Sequence, residues 1–271
     1  MNRLPLLLRI AANSGASLVL AFLVLPILAV VPASFNKASF IYLPPRAWSG
    51  VWYERFLADP EWHTSLVNSV KVATLATVIA VVLGTLAAIG LRRIGGRLRT
   101  LVTGLFLAPM IVPVIVSAVA LYRSALDVGL SGTILGMSLG HAILALPFVV
   151  INVGIALRAV DENWLRAAAG LGAGPWRIFR TVTLPNITPG IVGGAIFSFI
   201  TSFDEVVIAV FMAGYASKTL PVKIWESIRL EFTPVVAVAA TVMIALAIAL
   251  FALAQTLSHG NGNRKTGSPI R

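Results

Sequence analysis

Asp204 and Glu205 are adjacent carboxylates inside FSFITSFDEVVIAVFMAG, a run that is otherwise apolar apart from small hydroxyl residues. Ionisable groups in such a setting are costly and mark either a function or a pairing partner. Helical spacing would place Gly194, Ser198, Thr201, Ser202 and Glu205 on one narrow face at steps of three or four, with Asp204 about 100° further round and adjoining Thr201. Both carboxylates would then border one cavity. No basic residue lies in the interior of any apolar run to neutralise them, so the pair would either attract a cation or partly protonate, each carboxylate disfavouring ionisation of the other. The alternative is that they hydrogen-bond a neighbouring helix or a partner subunit. His141, in LGHAILALPF, is a lone histidine that suits a helix–helix hydrogen bond better than a proton relay or a substrate ligand. With no cysteine, no His-Glu-x-x-His and no nucleophile-base constellation, neither thiol chemistry, a metal centre nor an intramembrane enzyme is indicated, and no cofactor is implied.

A second stretch has the makings of a mechanical element. DENWLRAAAGLGAGPWRIFRTVTLPNITPGI, residues 161–191, carries Arg166, Arg177 and Arg180, just after Arg158, and lies between two apolar runs. Asp161 can cap a short helix with Glu162 in its first turn, where negative charge suits the helix dipole. Gly170, Gly172 and Gly174 then break that helix, Pro175 suits the first position of the next, and Leu184-Pro185 is expected to end it before Pro189 opens a membrane span. The small side chains of Ala167, Ala168 and Ala169 would let a partner backbone come close.

The elements that must position these residues follow from composition. Of the 271 residues 58% are hydrophobic and 11% charged, and the mean hydropathy is +0.92. Such a chain is a polytopic, all-α membrane protein. A hydrocarbon core of about 30 Å needs roughly 20 apolar residues per helix, and six runs qualify, near 14–34, 68–91, 100–122, 134–157, 187–213 and 234–257. They are too continuous for barrel strands. The first exceeds a signal-peptide core of about 7–15 residues and is read as a retained span. Pro109, Pro113 and Pro147 are expected to kink their helices, and Phe106 and Phe148 to pack in the core.

Charge gives orientation, because short cytoplasmic loops collect Lys and Arg. The side of the N-terminus holds thirteen basic residues against two acidic ones, and the opposite side eight against six. Both termini are therefore expected to be cytoplasmic. The same distribution explains the basic pI without nucleic acid, since the charges sit at membrane boundaries. The outer segment 35–67, with Trp48, Trp52, Tyr53 and Trp62, is expected to lie on the membrane surface, the outer loop 214–233 to be partly helical, and the polar tail 258–271 to be disordered. The whole of 1–271 reads as one transmembrane domain.

AAAGLGAGPWRIFRTVTLP resembles the EAA loop of binding-protein-dependent ABC-transporter permeases. Ala167 and Ala168 match its two alanines, Leu171, Gly172 and Ala173 the following block, and Leu184-Pro185 its end, while Arg166 stands where the family has glutamate. The number of spans, and the position of the loop between the fourth and fifth, extend the resemblance to nearly the whole chain. It implies a type I ABC importer permease fold in a bacterial inner membrane, with the loop at 158–186 docking on a cytoplasmic ATPase. The implied partners are a second permease subunit, two ATP-binding subunits and a periplasmic or lipid-anchored solute-binding protein. The chain itself has no G-x-x-x-x-G-K-[ST] loop to bind nucleotide phosphates. SFDEVV is similar to the spermidine/putrescine branch, which implies a polyamine as solute, with Ser198, Thr201, Ser202, Asp204 and Glu205 along its path. Permeases for opines, amino acids or other small solutes are the alternative, and a proton-coupled secondary transporter would more often bring internal repeats, which are not evident here.

Overall fold

The computed structural model describes residues 6–230 and 233–262. In chain order the helices are α1 (Leu6–Ser34), α2 (Val51–Ala58), α3 (Pro60–Arg93), α4 (Gly96–Leu107), α5 (Val114–Asp127), α6 (Ile134–Arg158), α7 (Glu162–Gly170), α8 (Pro175–Ile178), α9 (Leu184–Phe203), α10 (Val207–Met212), α11 (Leu220–Leu230) and α12 (Pro234–Gly262). An isolated bridge between Asn36 and Trp48 is the sole β pairing among the described residues, so the all-α expectation holds.

Five helical stretches are long and apolar enough to cross a membrane: Ala12–Ser34, Pro60–Arg93, Ile134–Arg158, Pro175–Phe203 and Pro234–Ala252. The span expected over 100–122 is broken at Pro109 and Pro113, where kinks are expected, and the break is sharper than a kink within one helix. α4 and α5 meet at 96° across a 3-10 turn, Ala108–Met110, so they form a bent pair that makes the sixth span only if it acts as one. The prolines explain the break. Pro109 lies in the turn and Pro113 caps α5, and neither can donate a backbone hydrogen bond to a continuing helix. Pro147, by contrast, stays within α6 and is fully buried.

The chain packs as two units, Met1–His63 with Ile224–Ala245 and Thr64–Lys223 with Leu246–Arg271. In the first, α1 is apolar on every side and its Leu18, Phe22 and Leu25 stand exposed, as suits a helix bathed in lipid. The segment after α1 folds into a small cap of its own. Asn36 is buried and its Nδ2 donates to the Tyr42 carbonyl at 2.7 Å, Trp52 Nε1 donates to Ala38 O at 3.2 Å, and Phe56 packs on Trp62. Trp52 and Trp62 are therefore core residues of this cap rather than surface anchors, whereas Trp48 is exposed.

The second unit is built on α6 and α9, its most extensive helix pair, with α3 alongside. Ala76, Ala80, Ala142, Ala145, Val149, Val153 and Ile187 fill the contact, and their small volumes allow close backbones. Gly194 of α9 faces the Val149 backbone of α6, where an added Cβ would lie 2.9 Å from Cα. Phe148 stacks on Phe197 at 6.0 Å. α5 packs on α10 through Ala118, Ala125, Ile208 and Met212. The loop expected to be partly helical is held by Asn68 of α3, whose Nδ2 donates to the carbonyls of Ala216 and Lys218, and α11 supplies its helical part. At the C-terminus α12 runs to Gly262, into the segment expected to be a tail, whose remainder lies outside the described residues.

Candidate functional site

The loop between α6 and α9 folds largely as its residue types require. Asp161 Oδ1 accepts from the Asn163 N–H at 2.8 Å and caps α7. The helix stops in a Schellman arrangement, in which the Ala173 N–H donates to Ala168 O at 3.1 Å and the Gly172 N–H to Ala169 O at 2.9 Å. Gly172 has φ +81°, a conformation that disfavours any side chain. α7 has no buried residue. Leu171 is 89% exposed and Trp176 71%, an apolar pair turned outward beside the glycine break. Arg166 is exposed and pairs with Glu162 one turn back at 3.4 Å. Glu162 also lies 3.7 Å from Arg92 at the end of α3, whose guanidinium donates to Val160 O at 3.4 Å. The start of the loop is thus tied to α3.

The second half of the loop corrects an expectation. Leu184-Pro185 does not end a helix. α8 passes through a π-helical turn, Phe179–Thr183, into α9, and Pro175–Phe203 is helical throughout, with Pro189 inside it. A proline ring at 185 would crowd the Thr181 carbonyl in a regular α-turn, and the wider turn that includes Thr181 relieves it. The loop is therefore directly continuous with the helix that leads to the carboxylates.

That helix ends sooner than helical periodicity implied. α9 stops at Phe203, and α10 starts at Val207, so Asp204 and Glu205 occupy a break and not the middle of one span over 187–213. Their roles separate at the break. Glu205 turns its carboxylate onto the N-terminus of α10 and accepts from the N–H groups of Val207, Ile208 and Ala209 at 2.9, 2.8 and 3.2 Å. Its side chain is only 8% exposed, and Oε2 lies 3.6 Å from Nε2 of the fully buried His141. His141 Nδ1 in turn lies 2.9 Å from Ser202 Oγ and 3.1 Å from the Ser202 carbonyl. His141 therefore links α6 to α9 as its isolation in the sequence suggested, and it also approaches Glu205, a pairing across 64 positions that no local pattern reveals.

The polar stripe of α9 exists but points at α6. Ser198 Oγ donates to the Ala145 carbonyl at 3.3 Å, and Ser198 and Ser202 are both buried. Thr201 is half-buried. Asp204 differs from all of these: it is exposed, and among the described residues its carboxylate makes no hydrogen bond or ion pair. It sits at the C-terminal end of α9, where unpaired carbonyls add negative potential. A cation is the natural complement of this point, and an interrupted membrane helix is where such ions are held in transport proteins. No group of three or more metal-ligating side chains exists among the described residues.

Comparison with known proteins agrees with this architecture. Residues 80–260 match the family described as binding-protein-dependent transport system inner membrane component. The chain is 34% identical over 251 residues to the spermidine/putrescine transport system permease protein PotC of Haemophilus influenzae, which covers 93% of this chain and 97% of that one. It is 32% identical over 233 residues to the putrescine transport system permease protein PotI of Escherichia coli K12, with 82% of each covered. Its fold matches a chain of a bacterial ABC transporter involved in the import of alginate, at a TM-score of 0.71 and 17% identity, over 94% of this chain and 99% of that one. The apolar helices, the loop that interrupts them and the family match lead to one identification: this chain belongs to the binding-protein-dependent transport system inner membrane components, as a multi-pass permease of the type I ABC importer fold and not an enzyme.

Proposed function

We propose that the chain is the permease of an ATP-driven importer whose solute is a polyamine of the putrescine or spermidine kind, and that Asp204 is the carboxylate the solute meets. The observation that carries this reading is the exposed, unpartnered Asp204 at the interrupted end of α9. The relationship to PotC and PotI supports it independently. An ammonium group at Asp204 gains both the carboxylate and the helix-end carbonyls, while Glu205 is occupied in capping α10 and contacting His141. Ser198 and Ser202 serve the α6–α9 contact, which leaves Thr201 as the hydroxyl nearest in sequence to the pathway.

Orientation and assembly follow the same reading. Both termini and the α7–α8 loop face the cytoplasm, where the arginine excess belongs. A second permease chain, two cytoplasmic ATP-binding subunits and a periplasmic or lipid-anchored solute-binding protein complete the transporter. The ATPase grips α7 and the exposed Leu171, and closure of its two halves displaces the loop. The 29 helical residues Pro175–Phe203 carry that displacement, over about 43 Å at 1.5 Å per residue, to the break that holds Asp204. Energy thus enters at one end of a lever and alters solute access at the other.

The experiment separates the two carboxylates. In proteoliposomes holding the complete assembly, Asp204→Asn is expected to raise the half-saturating spermidine concentration about tenfold, or about 1.4 kcal/mol, with solute-independent ATPase activity retained. Glu205→Gln is expected instead to lower the yield of folded permease, because one of the two carboxyl oxygens that accept from three backbone N–H groups is replaced by an amide donor. Unchanged spermidine dependence in Asp204→Asn would remove Asp204 from the path.

A further inference from the structure

A groove of about 550 Å³ opens between α4 and α6 beside the end of α3, away from the carboxylates. Its lining is graded along its length. On α4, Arg99, Thr103 and Leu107 line it at one-turn steps, and on α6 Arg158, Ile155 and Ile151 do so at steps of three and four, with Arg158 at the end of α6 that meets Arg92. One end is therefore lined by guanidinium groups and the other by hydrocarbon. Arg92 adds a third positive charge at the basic end, and Glu162 is the single carboxylate there. Glu162 is already engaged by Arg92 and Arg166, while Arg99 and Arg158 are exposed and make no ion pair among the described residues. Arg99 is also misplaced for its own helix. It lies in the first turn of α4, whose N-terminus has no side-chain cap and repels a cation.

We propose that this groove holds an anionic phospholipid, with its phosphate between Arg99 and Arg158 and an acyl chain along Ile155, Ile151 and Leu107. The proposal rests on the cytoplasmic orientation of the loop given above, since the Arg end must then lie at the headgroup level of the inner leaflet. Phosphate oxygens accept bidentate bonds from guanidinium and relieve the repulsion between the arginines and the α4 terminus. A soluble anion would satisfy the basic end alone. The apolar continuation at a membrane boundary selects a ligand with both a phosphate and a hydrocarbon chain, and basic recesses between spans on the cytoplasmic side suit such headgroups. A lipid seated there would bridge α4 to α6 next to Glu162, at the root of the ATPase-contacting loop.

Native mass spectrometry of the purified complete assembly tests this, with phosphatidylglycerol, cardiolipin or phosphatidylcholine added in turn to the detergent. The native protein is expected to retain the anionic lipids at least tenfold over phosphatidylcholine. Arg99→Gln with Arg158→Gln should remove that preference, and Arg93→Gln with Arg97→Gln, an equal loss of charge outside the lining, should keep it. Should the first double variant fail to fold, Thr103→Trp, which fills the groove without altering charge, is expected to reduce retention as well. Equal loss in both double variants, no preference in the native protein, full retention in Thr103→Trp, or displacement of the lipid by millimolar inorganic phosphate would each overturn the proposal. Retention is read without any transported solute, so its failure and a failure of the polyamine reading are told apart.

Discussion

Gly172→Val is expected to abolish ATP-driven uptake, by at least tenfold, while the membrane helices remain folded. The backbone at Gly172 has φ +81° and closes the two hydrogen bonds that end α7. A β-branched residue is strained there by about 1–3 kcal/mol, and α7 is a short exposed helix with no buried side chain to resist. The loop will instead relax into another turn and re-aim Leu171, which is 89% exposed and has no packing of its own to lose. No Cβ clash arises at this position, since nothing lies within 4 Å of the site. The damage therefore falls on the shape of the proposed docking element rather than on the fold. Solute-stimulated ATPase activity, membrane abundance and uptake measured together check this. Normal uptake in Gly172→Val would mean that the turn is not part of the coupling surface.

Gly190→Leu should act in the opposite way, by preventing the protein from folding. A Cβ at 190 would lie 2.7 Å from both the Asn152 carbonyl oxygen and the Ala156 Cβ of α6, and a backbone atom cannot rotate aside. Overfilling a packed interior costs typically about 1–3 kcal/mol, and leucine in the tightest part of the α6–α9 contact belongs at the upper end of that range. The expected result is a sharp fall in monodisperse protein after detergent extraction and a lower temperature of aggregation. Gly104→Leu, in α4 and with nothing within 4 Å of its Cβ position, is the matched control and should leave both unchanged. Similar losses for the two variants would point to leucine load in general and not to the α6–α9 contact.

What the sequence made legible was decided by the range of the interactions involved. Long apolar runs specify spans through a sum over many residues, so α1, α3, α6 and α12 fall where composition places them. Local chemistry was equally readable in the loop, because the Asp161 cap, the stop at Gly170 and the start at Pro175 each act within a few residues. The two interrupted spans were harder. Hydropathy cannot distinguish a straight span from one turned by 96°, since APMIVP is as apolar bent as straight, although Pro109 and Pro113 do signal a departure. Helical periodicity failed at Asp204-Glu205 because a carboxylate can satisfy the start of a new helix as well as lie inside one. An acidic residue just ahead of VIAVFM was the available sign of such a cap. Leu184-Pro185 was ambiguous for a related reason, as proline is common both after a helix and near its beginning. The His141–Ser202 and His141–Glu205 contacts join α6 to residues far along the chain and become visible only once the helices are packed.

The most direct test of this account is uptake of labelled spermidine into proteoliposomes that contain the permease with its partner subunits and the loaded binding protein, measured with ATP, without ATP, and with a proton gradient alone. Accumulation is expected to require ATP, to be competed by unlabelled putrescine and to be unaffected by the gradient. Accumulation driven by the gradient without ATP, or delivery of a different solute while neither polyamine is carried, would contradict it.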